Sequence, residues 1–258
     1  MFIGRCARID IVGYQNKGFA NAQYNIAAAT FVPVSGDKDD MTLGDLQPND
    51  KFITSAVTFM TQGGATPRVD FDGGKVAARY VYWFAEDDPE DGAGWYLEDD
   101  EDATVNQNAV SIPFGTGFLV YRTGSEADAN IVLSGAVSTE PVTKSFPTAQ
   151  YNVCGNCSPV DLTLGDLTPN AKFVTSAVTF MTQGGATPRV DFDGGKVAAR
   201  YVYWFAEDDP EDGAGWYLED DEDATVNQND VPIAAGEGFL VYRTGSESDA
   251  TLTIPSAL

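Results

Sequence analysis

The side chains in this chain with the clearest chemical potential are carboxylates, gathered in short clusters. Asp87, Asp88, Glu90 and Asp91 stand together in DDPEDG, and Asp99, Asp100 and Asp102 follow in EDDED. The same set returns as Asp208, Asp209, Glu211, Asp212, Asp220, Asp221 and Asp223. The windows from Glu86 to Asp102 and from Glu207 to Asp223 hold 20 of the 39 acidic residues, so the acidity is local. Calcium takes about six to eight oxygen ligands from a flexible loop, and Gly92 allows the sharp turn such a loop needs. The clusters are therefore candidate calcium sites, with calcium the expected cofactor. They do not follow the EF-hand spacing. The competing reading is solvated charge that keeps an exposed surface soluble.

Cys6, Cys154 and Cys157 make an odd count. The pair in CGNC admits a local disulfide, inert thiols or half of a metal site, and an intermolecular bridge through Cys6 would account for the odd thiol. The first copy of the repeat described below has Ala27 where Cys154 stands, so the fold does not need the pair. Trp83, Trp95, Trp204 and Trp216 are candidates for sugar stacking, against the commoner use of strand aromatics as core. The chain has no histidine, which excludes Ser-His-Asp and Cys-His catalysis. Two carboxylates would suffice for a glycosidase, but their separation in space selects them and spacing in sequence does not. No enzymatic activity is expected.

These residues belong to a duplicated unit. Thr54–Asn108 recurs letter for letter as Thr175–Asn229, with substituted but ungapped matches on both sides. Upstream, AQYNI at Ala22 matches AQYNV at Ala149, and Lys17 and Phe19 match Lys144 and Phe146. Repetition of this kind requires each copy to be a self-similar structural unit. The expected domains are 1–136, with an N-terminal strand segment, and 137–258. Each is long enough for its own core.

The elements that must hold the clusters read as strands. In RVDFDGGKVAARYVYWF, Gly73-Gly74 forms a two-residue hairpin loop. Alternation then puts Val69, Phe71, Val76, Ala78, Tyr80, Tyr82 and Phe84 on a core face, and Asp70, Asp72, Lys75, Arg79 and Trp83 on the other. LTLGDL reads as a short helical turn or loop, and GWYL as a strand between the acidic clusters. No long segment shows helical periodicity. The expected fold is all-β, with two tandem β-sandwich or jelly-roll-like domains.

The order YNV, YVYW, GWY and AAGEGFLVY in the second copy resembles exported bacterial β-repeats with a "GYNLVGNPYP" opening and a "PGQGFFV" close. The Gly236–Phe239 segment GEGF matches well, whereas QYNVCGNCSPV shares only Tyr-Asn, a later Gly-Asn and a Pro. The resemblance implies a β fold and an extracellular or cell-surface location, and brings no catalytic residues. A net charge of −24 argues against nucleic acid. No apolar run is long enough to span a bilayer. The opening residues lack the apolar core of a signal peptide, and the chain reads as the processed form of an exported protein.

The expected function is non-catalytic: a structural surface protein that self-assembles head to tail into an extracellular filament or layer. Strand addition by the segment from Arg5 to Gly18 would make the joint, with Ile9, Ile11, Val12 and Tyr14 giving specificity. The partner is then another copy of the chain. The alternative is a calcium-dependent adhesin with a glycan partner.

Overall fold

The computed structural model describes residues 12–18, 24–34, 40–49, 57–61, 78–122, 130–145, 151–170, 178–182, 199–206, 210–218, 221–243 and 251–256. The fold is all-β. Helical content among these residues is confined to short turns such as Leu43–Asp45, Ala85–Asp87 and Leu164–Asp166.

The first copy contributes β1 (Val12–Gly18), β2 (Tyr24–Ala28), β3 (Met41–Thr42), β4 (Gln47–Pro48) and β5 (Val57–Thr61). It continues with β6 (Ala78–Trp83), β7 (Gly94–Leu97), β8 (Ser111–Ile112), β9 (Gly117–Arg122) and β10 (Asn130–Ala136). The second repeats the series as β11 (Val142–Ser145), β12 (Tyr151–Gly155), β13 (Leu162–Thr163), β14 (Thr168–Pro169) and β15 (Val178–Thr182). Then come β16 (Ala199–Trp204), β17 (Gly215–Leu218), β18 (Pro232–Ile233), β19 (Gly238–Arg243) and β20 (Thr251–Ile254). Each copy builds a five-stranded sheet, β2-β9-β5-β6-β7 or β12-β19-β15-β16-β17, with neighbours antiparallel. Each also builds a three-stranded sheet, β1-β10-β4 or β11-β20-β14, and a two-stranded one, β3-β8 or β13-β18. Among the described residues, no sheet mixes strands from the two sides of Ala136.

The pleat decides which side chains face inward, because alternate residues share a face. Phe118 and Val120 on β9 and Ile131 and Leu133 on β10 are buried, so the five- and three-stranded sheets of the first copy present inner faces to one core. Phe239, Leu252 and Ile254 do the same in the second. Tyr80 and Tyr201 are buried as expected, while Tyr82 and Tyr203 are half-buried and packed against their cores. The Gly-Gly hairpin and Val69, Phe71 and Val76, with Phe192 and Val197, lie outside the described residues.

The LTLGDL segment is a 3₁₀ turn closed by its own aspartate. Thr42 donates through N (2.8 Å) and Oγ1 (2.9 Å) to Asp45 Oδ2, and Thr163 does likewise to Asp166 at 2.8 and 3.0 Å. The side chain thus satisfies backbone that the short turn leaves open.

One packing feature belongs to the first copy alone. Gly13 and Gly135 face each other across β1 and β10, and the ring of Phe31 lies over the pair. A Cβ on Gly13 would stand 2.1 Å from Phe31 Cε1, and one on Gly135 would stand 2.5 Å from the Val32 carbonyl oxygen. Phe31 is buried and its segment is tied to β10 by reciprocal bonds between Val32 and Ala136, so the ring has nowhere to go. Gly13→Ala should therefore lower stability by about 1–3 kcal/mol through overpacking. Gly18→Ala, which meets nothing within 4 Å, should change it by less than about 0.5 kcal/mol. Urea denaturation of the two variants measures the contrast.

Candidate functional site: acidic loops, buried thiols and the contact between the copies

The acidic loops hang from a tryptophan. Trp95, at the start of the edge strand β7, is fully buried, and its Nε1 donates to the Leu46 carbonyl at 3.2 Å. Its backbone N donates to Asn108 Oδ1 at 2.9 Å, and its carbonyl accepts from Gln107 N at 2.6 Å. The segment after the second acidic cluster thereby covers the outer edge of β7. Gly94 permits this closeness, since a Cβ there would meet the Asn106 amide at 2.4 Å. Tyr82 packs edge-on to the indole at 5.2 Å and to Phe84 at 4.9 Å. Trp216 repeats the arrangement with Leu167, Asn229, Gln228 and Tyr203. Trp95 and Trp216 are consequently core residues with no face open to a sugar, which corrects the stacking assignment for both. Trp83 and Trp204 are half-buried on β6 and β16, and Trp204 also meets Tyr217 edge-on.

Within the loops, several carboxylates act as caps. Asp87 Oδ2 accepts from Phe84 N at 3.1 Å, closing the turn over Ala85–Asp87. The chain then reverses through Asp88 at φ 54° and Gly92 at φ 78°. Asp91 accepts from Asn106 N at 3.3 Å, which ties the first cluster to the segment that follows the second. Asp100 accepts from Thr104 N (2.9 Å), Val105 N (3.0 Å) and Thr104 Oγ1. These bonds, the one from Val105 N foremost, hold the Asp100 carboxyl below its ordinary range. Asp212 and Asp221 make the corresponding bonds in the second copy.

Asp88, Glu90, Asp99 and Asp102 are exposed, as are Glu211 and Asp223, while Asp208, Asp209 and Asp220 lie outside the described residues. Among the described residues, no three acidic or cysteine side chains gather closely enough to hold a metal ion.

Cys154 and Cys157 are free thiols, exposed by only 1% and 4%, so the local disulfide is not formed. Cys154 lies on β12 with its Sγ directed at the Gly115 carbonyl of the first copy, 3.5 Å away, while Cys157 follows the strand's end. Burial pushes Cys154 up to about 12 and Cys157 up to about 11. Neither forms the thiolate that exchange or metal ligation requires at neutral pH. Their burial also removes them as partners for a bridge from a neighbouring chain. Cys6 lies outside the described residues.

The proposed strand-adding segment is in place within its own chain from Val12 onward. β1 pairs with β10 over Val12–Gly18, as β11 pairs with β20, while Ile9 and Ile11 lie outside the described residues. Val12 and Tyr14 are exposed by 62% and 68%. A segment already committed to β10 cannot be donated whole to a neighbour. What it offers is its other edge.

Sequence reasoning missed the contact between the copies. Glycine turns at Gly115 (φ 74°) and Gly236 (φ 66°) are positioned by Asp40, which accepts from Phe114 N, and by Asp161, which accepts from Ala235 N. Each turn meets the other copy. Ala27 bridges to Glu237 and Cys154 to Thr116, which are equivalent positions exchanged. Ala28 N donates to the Gly236 carbonyl at 3.1 Å, and Gln15 Nε2 to the Ala235 carbonyl at 2.7 Å. Lys144 Nζ donates to Thr116 Oγ1 at 3.1 Å, and its counterpart Lys17 faces Glu237. Burial lowers the Lys17 pKa, with Glu237 and Asp161 opposing that shift. Burial raises that of Glu237, with a hydrogen bond from Ala234 N and the charge of Lys17 opposing it. The contact therefore has pseudo-twofold symmetry, the isologous form of association. The available signal was in the substitutions, which gather here as Ala27/Cys154, Ala28/Gly155, Phe114/Ala235 and Thr116/Glu237 while Thr54–Asn108 and Thr175–Asn229 are identical.

Comparison with protein-family models and with curated proteins finds no match to this chain.

Two outcomes test this geometry. Asp100 is depressed, so its stabilising effect is full above the unfolded aspartate value of about 3.9 and disappears as pH falls through its lower folded value. The thermal midpoint of Asp100→Asn should thus lie below wild type at neutral pH, with the gap closing in acid. For the thiols, an aromatic disulfide reagent at pH 7 should label Cys154 and Cys157 at least about tenfold more slowly in the native chain than in denaturant.

Proposed function

We propose that the protein is a non-catalytic structural component of an extracellular surface, joining further copies of itself into a filament or layer by pairing at open strand edges. The observation that carries this reading is β1: seven residues, regular alternation, and a position at the end of its sheet with Val12 and Tyr14 exposed on one face. An unpaired row of backbone donors and acceptors is a template for another strand.

The other large sheets support the same choice by elimination. The edges β7 and β17 are covered by Gln107 with Asn108 and by Gln228 with Asn229. At the opposite edges, β2 and β12 end in the contact between the copies. Among the described residues, edges remain in the three-stranded sheets, at β1 and β4 in the first copy and at β11 and β14 in the second. A joint from β1 of one chain to a second-copy edge of the next does not close on itself and grows head to tail.

The lack of histidine, the acidity and the likeness to exported β-repeats agree with a surface role. Among the described residues no helix is long and apolar enough to cross a membrane. The exposed carboxylates make calcium the cation to vary in testing assembly, since neutralising them lowers repulsion between neighbouring chains.

Val12→Lys with Tyr14→Lys places charge along the edge without removing core. Wild type, with calcium or with chelator, should give ordered polymers by negative-stain microscopy and fast-sedimenting species. The double variant should stay folded and monomeric. Identical polymers from the variant, or a monomeric wild type at high concentration, would sink the reading. Glycan binding by such a monomer would favour the adhesin alternative.

A further inference from the structure

We infer that the contact between the two copies is a heterotypic docking surface: the first-copy face fits a second-copy face and rejects another first-copy face. The deciding position is Ala28, whose equivalent is Gly155. Near the pseudo-twofold axis these two residues meet each other, and a Cβ built on Gly155 would lie 2.2 Å from the Cβ of Ala28. Carbon atoms without a bond between them settle at about 3.5–4.0 Å. A pairing of two first-copy faces would bring methyl against methyl and could not reach this geometry.

The severe clash is with the other copy; inside the second copy the same atom meets tight contacts that a shift of a few tenths of an ångström relieves. The same Cβ would approach the Glu237 carbonyl oxygen at 3.0 Å and Gly238 Cα at 3.2 Å within the second copy. Ala28 carries its methyl over the equivalent residues, Thr116 and Gly117, and β2 pairs with β9 there without a break. Neighbouring substitutions make the two sides complementary. Phe114, where the second copy has Ala235, packs against the second copy's core, and Gln15, where it has Val142, bonds to the Ala235 carbonyl. Lys17 meets Glu237, whereas Lys144 meets the smaller Thr116. Pairing two second-copy faces would lose Phe114 and the Gln15 bond, although Lys144 would then stand in the place of Lys17 against Glu237. Duplication followed by substitution at this surface has made one chain the covalent form of a heterodimer.

The test exchanges the methyl across the axis in the intact chain. Gly155→Ala makes both sides first-copy-like, and Ala28→Gly added to it moves the methyl to the other side. Gly155→Ala should lower the thermal midpoint by on the order of 5 °C and raise the radius of gyration as the copies part. In that background Ala28→Gly should restore both, although by itself it removes packing and lowers the midpoint slightly. A Gly155→Ala chain indistinguishable from wild type overturns the inference, as does a second substitution that lowers the midpoint further. Should Gly155→Ala fail to fold, a folded double variant still supports the inference, and a double variant that also fails overturns it. Strand addition at β1 plays no part in these readouts, so either conclusion can fail alone.

Discussion

A fully buried indole in each copy is the constraint on which the surrounding structure depends. Burying Trp95 or Trp216 removes about 150–250 Å² from water, worth about 4–6 kcal/mol, provided that Nε1 finds an acceptor. The acceptor is the carbonyl just after the LGD turn, at Leu46 or Leu167. That single bond connects the 3₁₀ turn, the edge strand and the core. On the same strand, Tyr96 and Tyr217 donate to the carbonyls of Gly92 and Gly213 at 2.5 Å, and the asparagines at 108 and 229 hold the opposite side. The acidic loops are therefore bracketed by buried anchors, which explains how so many like charges can sit on short connections without loosening them.

The carboxylates contribute to their own order. A carboxylate accepting two backbone N–H bonds stabilises its loop by solvating donors that strand and helix ladders leave open. Asp100 and Asp221 do this for positions 104–105 and 225–226, while Asp91 and Asp212 reach across to 106 and 227. Of the other clustered acids, Asp88, Glu90, Asp99, Asp102, Glu211 and Asp223 face solvent and set the character of the surface. The fold thus gives several of the clustered carboxylates individual structural tasks.

The contact between the copies has a consequence for assembly. An isologous contact uses the same patch on both sides and closes once made, so growth cannot run through it. The proposed polymer would have to use other surfaces, and among the described residues the edges of the three-stranded sheets are the ones proposed for it. In the proposed assembly one chain would thus use a closed surface between its copies and separate strand edges for growth, and the substitutions at positions 27, 28 and 116 give the closed surface a preferred partner.

Much of the fold was legible in advance. Strand residues alternating between faces, the turn at LGDL, the strand at GWYL and the duplication itself follow from local periodicity and from self-similarity, which act over a few residues or over an exact repeat. The all-β class and the burial of Tyr80 and Tyr201 belong to that level. The fate of individual side chains did not. Whether Trp95 stacks on a ligand or fills a core, whether Cys154 meets Cys157 or a carbonyl of the other copy, and whether an aspartate binds a cation or a backbone amide all depend on partners far along the chain. Leu46 lies 49 residues from Trp95, and Ala235 lies 220 from Gln15. The sequence alone determined a duplicated all-β chain with charge concentrated on two loops. Only the tertiary structure decided which groups face one another across the copies, because a contact as specific as Ala28 against Gly155 arises from the placement of segments far apart in the chain, which no local pattern encodes.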